Sequence, residues 1–253
     1  MKIEIIPCLK DNYSYIIIDP KNKNTCVVDP SESKPIINFL EKNNLQLNYI
    51  LNTHHHYDHV GGNTELKKKY KAKIVGFEGD CERIPEIDIT LKDGEIWKQN
   101  NFEAKVIHIP GHTLGHICFH FYNENNLFTG DTLFSLGCGR IFEGTYEQMF
   151  ASLEKIKKLP LKTKIYCGHE YTLQNSKFCI TYDGENQNLI KKINEIKIKL
   201  KNYEPTIPST LEEELKNNIF LRSNNEKIKS NLNIKDGSDL TTFSKLRDLK
   251  DNF

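Results

Sequence analysis

Residues 52–62 read Asn-Thr-His-His-His-Tyr-Asp-His-Val-Gly-Gly, which puts four imidazoles and one carboxylate into the six positions from His54 to His59. Imidazole nitrogen and carboxylate oxygen are donors that divalent ions such as zinc, iron and manganese accept. The run follows an apolar stretch, Tyr49-Ile50-Leu51, that reads as a buried strand, and precedes a polar, Lys-rich segment that reads as a helix. Ligands at the carboxyl end of a strand, where the chain turns, can converge on a point. If they alternate along an extended or turning backbone, His54, His56 and Asp58 point one way and His59 another. One cluster then serves two neighbouring ion positions better than one.

Three later places repeat the pattern: Ile109-Pro110-Gly111-His112, Leu127-Phe128-Thr129-Gly130-Asp131 and Ile165-Tyr166-Cys167-Gly168-His169. In each, a short apolar strand ends in a ligand at a glycine-containing turn, where glycine permits positive φ and close approach of the backbone to the ion. Together the four places supply five histidines besides His55 and two aspartates. That is enough for two ions with three protein ligands each and one shared carboxylate.

The elements that must position these ligands follow from periodicity. Ile3–Ile6, Tyr15–Ile18 and Cys26–Val28 read as strands, and Asp29-Pro30 ends the third. An amphipathic helix runs through Ile36, Ile37, Phe39 and Leu40. Asn63–Tyr70 reads as a helix with Asn63 as its cap. Ile74-Val75 is a strand, Lys92-Asp93-Gly94-Glu95 a hairpin signal, and Phe102–Ile109, Ile117–Tyr122 and Leu127-Phe128 are strands. Thr145–Leu159 reads as a helix and Lys164–Cys167 as a strand. After about Tyr171 the composition changes. A Lys/Ile-rich helix at Asn188–Lys201, a linker at Tyr203–Pro208, a capping-box start at Ser209–Glu213 and a last helix at Ser238–Lys250 make a helical tail. Strand-rich, helix-interrupted order followed by helices alone points to an α+β fold with two covered sheets and a small helical domain.

Composition narrows the function classes. Lys+Arg 35 against Asp+Glu 34 leaves a net charge of +1, so no global field favours nucleic acid or membrane. No stretch approaches the roughly 20 apolar residues of a membrane span. Met1–Ile6 already alternates like a strand, so no leader is expected. Seven scattered cysteines, with no CxxC, fit reduced thiols in a cytoplasmic protein. Cys118 and Cys167 sit in apolar runs and read as core. All nine histidines fall between positions 54 and 169, so the metal chemistry belongs to the first two thirds of the chain.

His54-x-His56-x-Asp58-His59, Gly111-His112-Thr113-x-Gly115-His116, Gly130-Asp131-Thr132 and Gly168-His169 resemble the metallo-β-lactamase superfamily. Within it, Pro7–Tyr15, Gly137–Thr145, Cys167–Thr172, Phe220-Leu221-Arg222 and Leu246–Phe253 are similar to the glyoxalase II, or hydroxyacylglutathione hydrolase, family. The resemblance spans essentially the whole chain. It implies an αββα sandwich of two mixed sheets over residues 1–172 and a helical glutathione-binding domain over 173–253.

Carried over residue by residue, it implies that His54, His56 and His112 hold one divalent ion and Asp58, His59 and His169 a second, with Asp131 bridging. Zinc is the expected metal; iron and manganese suit the same donors. Asp58 would also orient a hydroxide shared by the ions for attack on a thioester carbonyl. The thiol leaving group, with a pKa near 8.5, departs without a strong acid. His55 is expected to be a bystander, His116 a structural or second-layer histidine, and His108 and His120 packing or surface residues. Arg140, Phe142, Tyr171, Arg247 and Lys250 would bind the glutathione thioester. Arg140 stands where the family commonly has lysine, and Phe142 where it often has a tyrosine. The expected protein is a monomeric cytoplasmic hydrolase. The rival on the same scaffold is a single-iron dioxygenase acting on glutathione persulfide; the complete second ligand set and the cationic last helix argue against it.

Overall fold

A computed structural model describes residues 1–235 and 237–253. The chain divides into two compact units, Met1–His108 with Leu114–Gly130, and Ile109–Thr113 with Asp131–Phe253.

In the first unit, β1 (Lys2–Cys8), β2 (Asn12–Ile18) and β3 (Thr25–Val28) form an antiparallel meander. It continues through β4 (Tyr49–Leu51), β5 (Lys73–Phe77) and β6 (Ile89–Leu91) in parallel, giving one six-stranded mixed sheet. Parallel neighbours need crossovers. Helix α1 (Ser33–Lys42) links β3 to β4, while α2 (Tyr57–Val60) and α3 (Asn63–Tyr70) link β4 to β5. Ile36 and Leu40 of α1 and Leu66 of α3 are buried with Ile16, Val27, Ile50 and Ile74 of the sheet in one core cluster. Each such side chain contributes about 1.5–3 kcal/mol on leaving water. The unit is completed by an antiparallel run of β7 (Ile96–Gln99), β8 (Phe102–His108), β9 (Ile117–Phe121) and β10 (Asn126–Gly130).

The second unit contains a short pair, β11 (Leu133–Phe134) with β12 (Gly137–Cys138), then α4 (Tyr146–Lys157) and β13 (Lys164–Cys167). Helices α5 (Thr172–Tyr182) and α6 (Gln187–Lys201) follow, then β14 (Ser209–Thr210), α7 (Leu211–Asn217), α8 (Glu226–Asn231) and α9 (Asp239–Asp251). β14 pairs antiparallel with β13. Capping boxes at Thr145 with Gln148 and at Thr210 with Glu213 start α4 and α7. Ser238 caps α9. Among the described residues no helix is long and apolar enough to cross a membrane.

Two expectations are corrected. Asn63 does not cap its helix: Gly62 is the N-cap, and the buried Asn63 amide donates to Asn52 Oδ1 at 2.8 Å. A buried amide is better satisfied by another amide than by a helix end facing solvent. Lys92–Glu95 does turn the chain, with Gly94 at φ +79°, but it joins no hairpin. β6 pairs with β5 and β7 with β8, so the turn passes the chain from one set of strands to another.

Candidate metal centre

The first unit carries the histidine turn. β3 and β4 run parallel with Val28 opposite Leu51, and this register sets Asp29 beside the residues that leave β4. Asp29 is buried at φ +47°, a left-handed conformation that aspartate tolerates better than most residues. Its Oδ1 accepts from the Thr53 backbone N–H at 2.8 Å, and its Oδ2 accepts from the Thr53 hydroxyl at 2.7 Å. The same Oδ2 lies 3.1 Å from His59 Nδ1. Thr53 Oγ1 is also 3.0 Å from His54 Nδ1. One carboxylate thus organises the Nδ1 side of two candidate ligands and turns their Nε2 atoms outward as donors, the usual outer layer of a histidine metal site.

The backbone of the turn departs from the period-two alternation expected of it. Asp58 and His59 lie in the one-turn helix α2, and His59 N–H donates to His56 O at 2.9 Å. Neighbours on a helix diverge by about 100°, so the helical turn, and not strand alternation, separates Asp58 from His59. Asp58 Oδ2 accepts from Asn12 Nδ2 at 3.0 Å, and that amide also donates to Asp58 O at 3.1 Å. The rings of His54 and His56 are 4.7 Å apart, those of His54 and His59 4.2 Å. His116 is buried and stacks on His54 at 4.5 Å with planes 19° apart. Gly130, at φ +47°, is required here: a Cβ on it would meet Thr53 Oγ1 at 2.3 Å and His116 at 2.8 Å. The tight approach at this glycine comes from the side chains behind the ligands.

The second unit carries His112, Asp131 and His169, all buried. His112 Nε2 and His169 Nε2 lie 3.6 and 3.3 Å from the same atom, Asp131 Oδ2. His112 Nδ1 sits 2.8 Å from the Arg140 carbonyl. An Nδ1–H donated there leaves Nε2 as the donor. Gly139 packs so closely that a Cβ would lie 1.8 Å from Asp131 O.

Residues expected to meet substrate surround this group unequally. Tyr171 stacks on His169 at 4.7 Å with planes 6° apart. Phe142 stands edge-on to His112 at 5.1 Å and is 63% exposed. Arg140 is exposed and pairs with Asp251 at 3.3 Å. Arg247 is only 3% exposed. Its Nη1 donates to Cys138 O at 2.7 Å, its Nη2 to Asp251 Oδ1 at 2.9 Å, and its guanidinium lies 5.2 Å over Phe220. Lys250 is half-buried, 5.3 Å over both Phe178 and Phe253, and burial, then the Arg247 charge, pushes its pKa down. Arg247 therefore faces an aromatic ring, backbone and the Asp251 carboxylate, whereas Lys250 lies over two rings and stays half-buried.

Burial raises the Cys138, Cys167 and Cys179 thiols, Cys179 to about 12. Burial favours the thiol over the thiolate at each, which argues against these three as nucleophiles. The donor sets suit a hard-to-borderline divalent ion: imidazoles, those of His54, His59 and His112 with Nδ1 engaged, and carboxylates. Asp29, Thr53 and Asn12 are site-organising residues that spacing did not single out for a role. The signal for Asp29 was its place at the end of the strand parallel to β4.

The metallo-β-lactamase superfamily profile matches residues 10–169, and the hydroxyacylglutathione hydrolase C-terminus profile matches residues 170–253. A hydroxyacylglutathione hydrolase of Pelagibacter ubique is 64% identical over 253 residues, covering 100% of both chains. One from Methylococcus capsulatus is 42% identical, covering 100% of this chain and 99% of its own. Among solved structures, BLEG-1 B3 metallo-β-lactamase superposes with a TM-score of 0.69 at 21% identity, covering 87% of this chain and 99% of its own. ETHE1 from Myxococcus xanthus superposes with a TM-score of 0.67 at 20% identity, covering 99% and 98%. At those identities the structural likeness carries the fold alone. Full-length identity with the curated relatives carries more: this chain belongs to the metallo-β-lactamase superfamily and, within it, to the hydroxyacylglutathione hydrolase family.

Proposed function

We propose that the chain hydrolyses S-2-hydroxyacylglutathione thioesters, S-D-lactoylglutathione among them, to the hydroxy acid and glutathione, using two divalent ions per chain. The observation that carries this reading is the pair of Nε2 atoms, from His112 and His169, directed at the single oxygen Asp131 Oδ2. A carboxylate so approached from two sides suits a bridge between two cations. In this proposal His54, His56 and His112 would hold one ion and Asp58, His59 and His169 the other, with Asp131 shared and zinc preferred.

Two ions so held would supply a hydroxide at neutral pH and polarise the thioester carbonyl. The chain's own residues do the rest. Asp58, held by Asn12, orients the attacking oxygen. Asp29 keeps His54 and His59 in the tautomer that presents Nε2. Tyr171 and the exposed edge of Phe142 flank His169 and His112 and offer faces to the acyl and peptide parts. Glutathione carries two carboxylates, for which Arg140 and Lys250 are the cations, on the proposed helical domain from 173 or beside it. Arg247 serves them by holding Cys138 and Asp251. A monomeric cytoplasmic enzyme fits this reading and its seven cysteines, none of which forms a disulfide among the described residues.

The decisive experiment follows S-D-lactoylglutathione absorbance with the metal-loaded protein and after chelation. Rapid loss with release of free thiol, stopped by the chelator and restored by zinc, is expected. No turnover by protein holding two ions per chain would sink the substrate assignment.

A further inference from the structure

We propose that Asp80, backed by Arg83, is a positioning residue for the His54–His56 ligand turn, and that His55 is the handle by which it holds that turn. The inference rests on the reading of the turn as half of a metal site. It concerns a residue triplet that the hydrolytic scheme above does not use.

His55 has both ring nitrogens engaged. Nδ1 lies 3.1 Å from Asp80 Oδ2, and Nε2 lies 3.3 Å from Arg83 Nη1. A guanidinium only donates, so Nε2 accepts and Nδ1 carries the proton given to Asp80. This network assigns His55 the Nδ1–H tautomer, with no nitrogen left for an ion. An imidazole between two ligands is otherwise a competitor for the metal, and here it is taken out of competition.

Asp80 closes a 3₁₀ turn at Glu78–Asp80 and its side chain is fully buried. Its Oδ1 accepts from Arg83 Nε at 3.1 Å and from Arg83 Nη2. That fork partners the buried charge, which would otherwise be costly. The same carboxylate lies against a second turn: a Cβ on Gly115 would fall 2.0 Å from Asp80 Oδ1. His116, the next residue, stacks on His54. Asp80, His55, His54, His116 and Gly115 thus close a ring of contacts. Through it one carboxylate sets the position of the turn from below while His116 sets the face of the His54 ring.

The test compares wild type, Asp80→Asn and Arg83→Gln as metal-free full-length protein, titrated with zinc against a chromophoric chelator. Asp80→Asn should bind zinc 10–100-fold more weakly, the size of effect typical of outer-layer partners. It should lose kcat at unchanged KM. Long-range ¹⁵N–¹H spectra of the metal-free protein should show His55 as Nδ1–H in wild type and as a tautomer mixture in Asp80→Asn. Arg83→Gln, at a partly exposed position, keeps the fold measurable if Asp80→Asn does not, and should weaken zinc binding several-fold. If both variants bind zinc as wild type does and keep the His55 tautomer, the positioning role is overturned and Asp80 only packs. Failure of wild type itself to bind zinc would instead overturn the metal-site reading.

Discussion

The histidine turn and the cation-bearing last helix solve opposite problems. At the turn, short stiff side chains leave a strand end and are fastened within a few ångströms of their own backbone. Asp29 holds His59 and Thr53, Thr53 holds His54, and Asn12 holds Asp58. On α9, the long side chains of Arg247 and Lys250 leave the helix and settle on whatever the fold brings near: Cys138 O, Asp251 and the rings of Phe220, Phe178 and Phe253. Charge at the turn is kept for the site, whereas much of the charge on the helix holds the protein's own chain together. A residue's type predicts its role best when its side chain is too short to find another partner.

That contrast can be broken most severely at the ligands. His54→Ala or Asp131→Ala should eliminate measurable thioester turnover and lower metal content determined by elemental analysis. Unchanged metal stoichiometry in both would refute the ligand assignment. One layer out, Asp29→Asn should lower zinc affinity by about 10–100-fold, read by chelator competition, because the amide nitrogen cannot accept, so either the Thr53 N–H or the Thr53 hydroxyl with His59 Nδ1 loses its acceptor.

On the helix the expected loss is first one of stability. Arg247→Ala strands the buried Cys138 carbonyl and empties the space over Phe220. Urea unfolding should therefore report a loss of about 2–3 kcal/mol. The exposed Arg140–Asp251 pair is different: Arg140→Ala should shift stability by less than about 1 kcal/mol and raise KM for the thioester several-fold at constant kcat. Equal stability losses for the two arginines would erase the distinction drawn between them.

Lys250 gives the smallest and most diagnostic effect. Its pKa is lowered in the folded state by burial and by Arg247, so the unfolded chain holds that proton more tightly. Its ammonium therefore costs stability at neutral pH. The cost fades as pH rises through the depressed value towards the ordinary lysine value, where both states lose the proton. Lys250→Met should stabilise the protein slightly at pH 7, with the gain vanishing at alkaline pH, while raising KM. A destabilised Lys250→Met at pH 7 would mean that the contacts with Phe178 and Phe253 outweigh desolvation.

Much of this was legible in the sequence. Strand ends carrying His54, His112, Asp131 and His169 at glycine turns are local patterns, because a strand's period and a turn's backbone demands are set by neighbours in sequence. The helices that begin at Thr145, Thr210 and Ser238 announced themselves for the same reason: a cap is a contact over three residues. The motifs at Pro7–Tyr15 and Gly137–Thr145 and the chain's ending carried the family. Tertiary structure alone decided what depends on distant partners. It made Asp29 the hub of the turn through strand register, engaged both nitrogens of His55 with Asp80 and Arg83, turned Asn63 inward to Asn52, and buried Arg247 against Cys138. These are contacts across 11 to 109 positions. No periodicity encodes them, since they arise only when packing brings polar groups out of water and obliges each to find a partner.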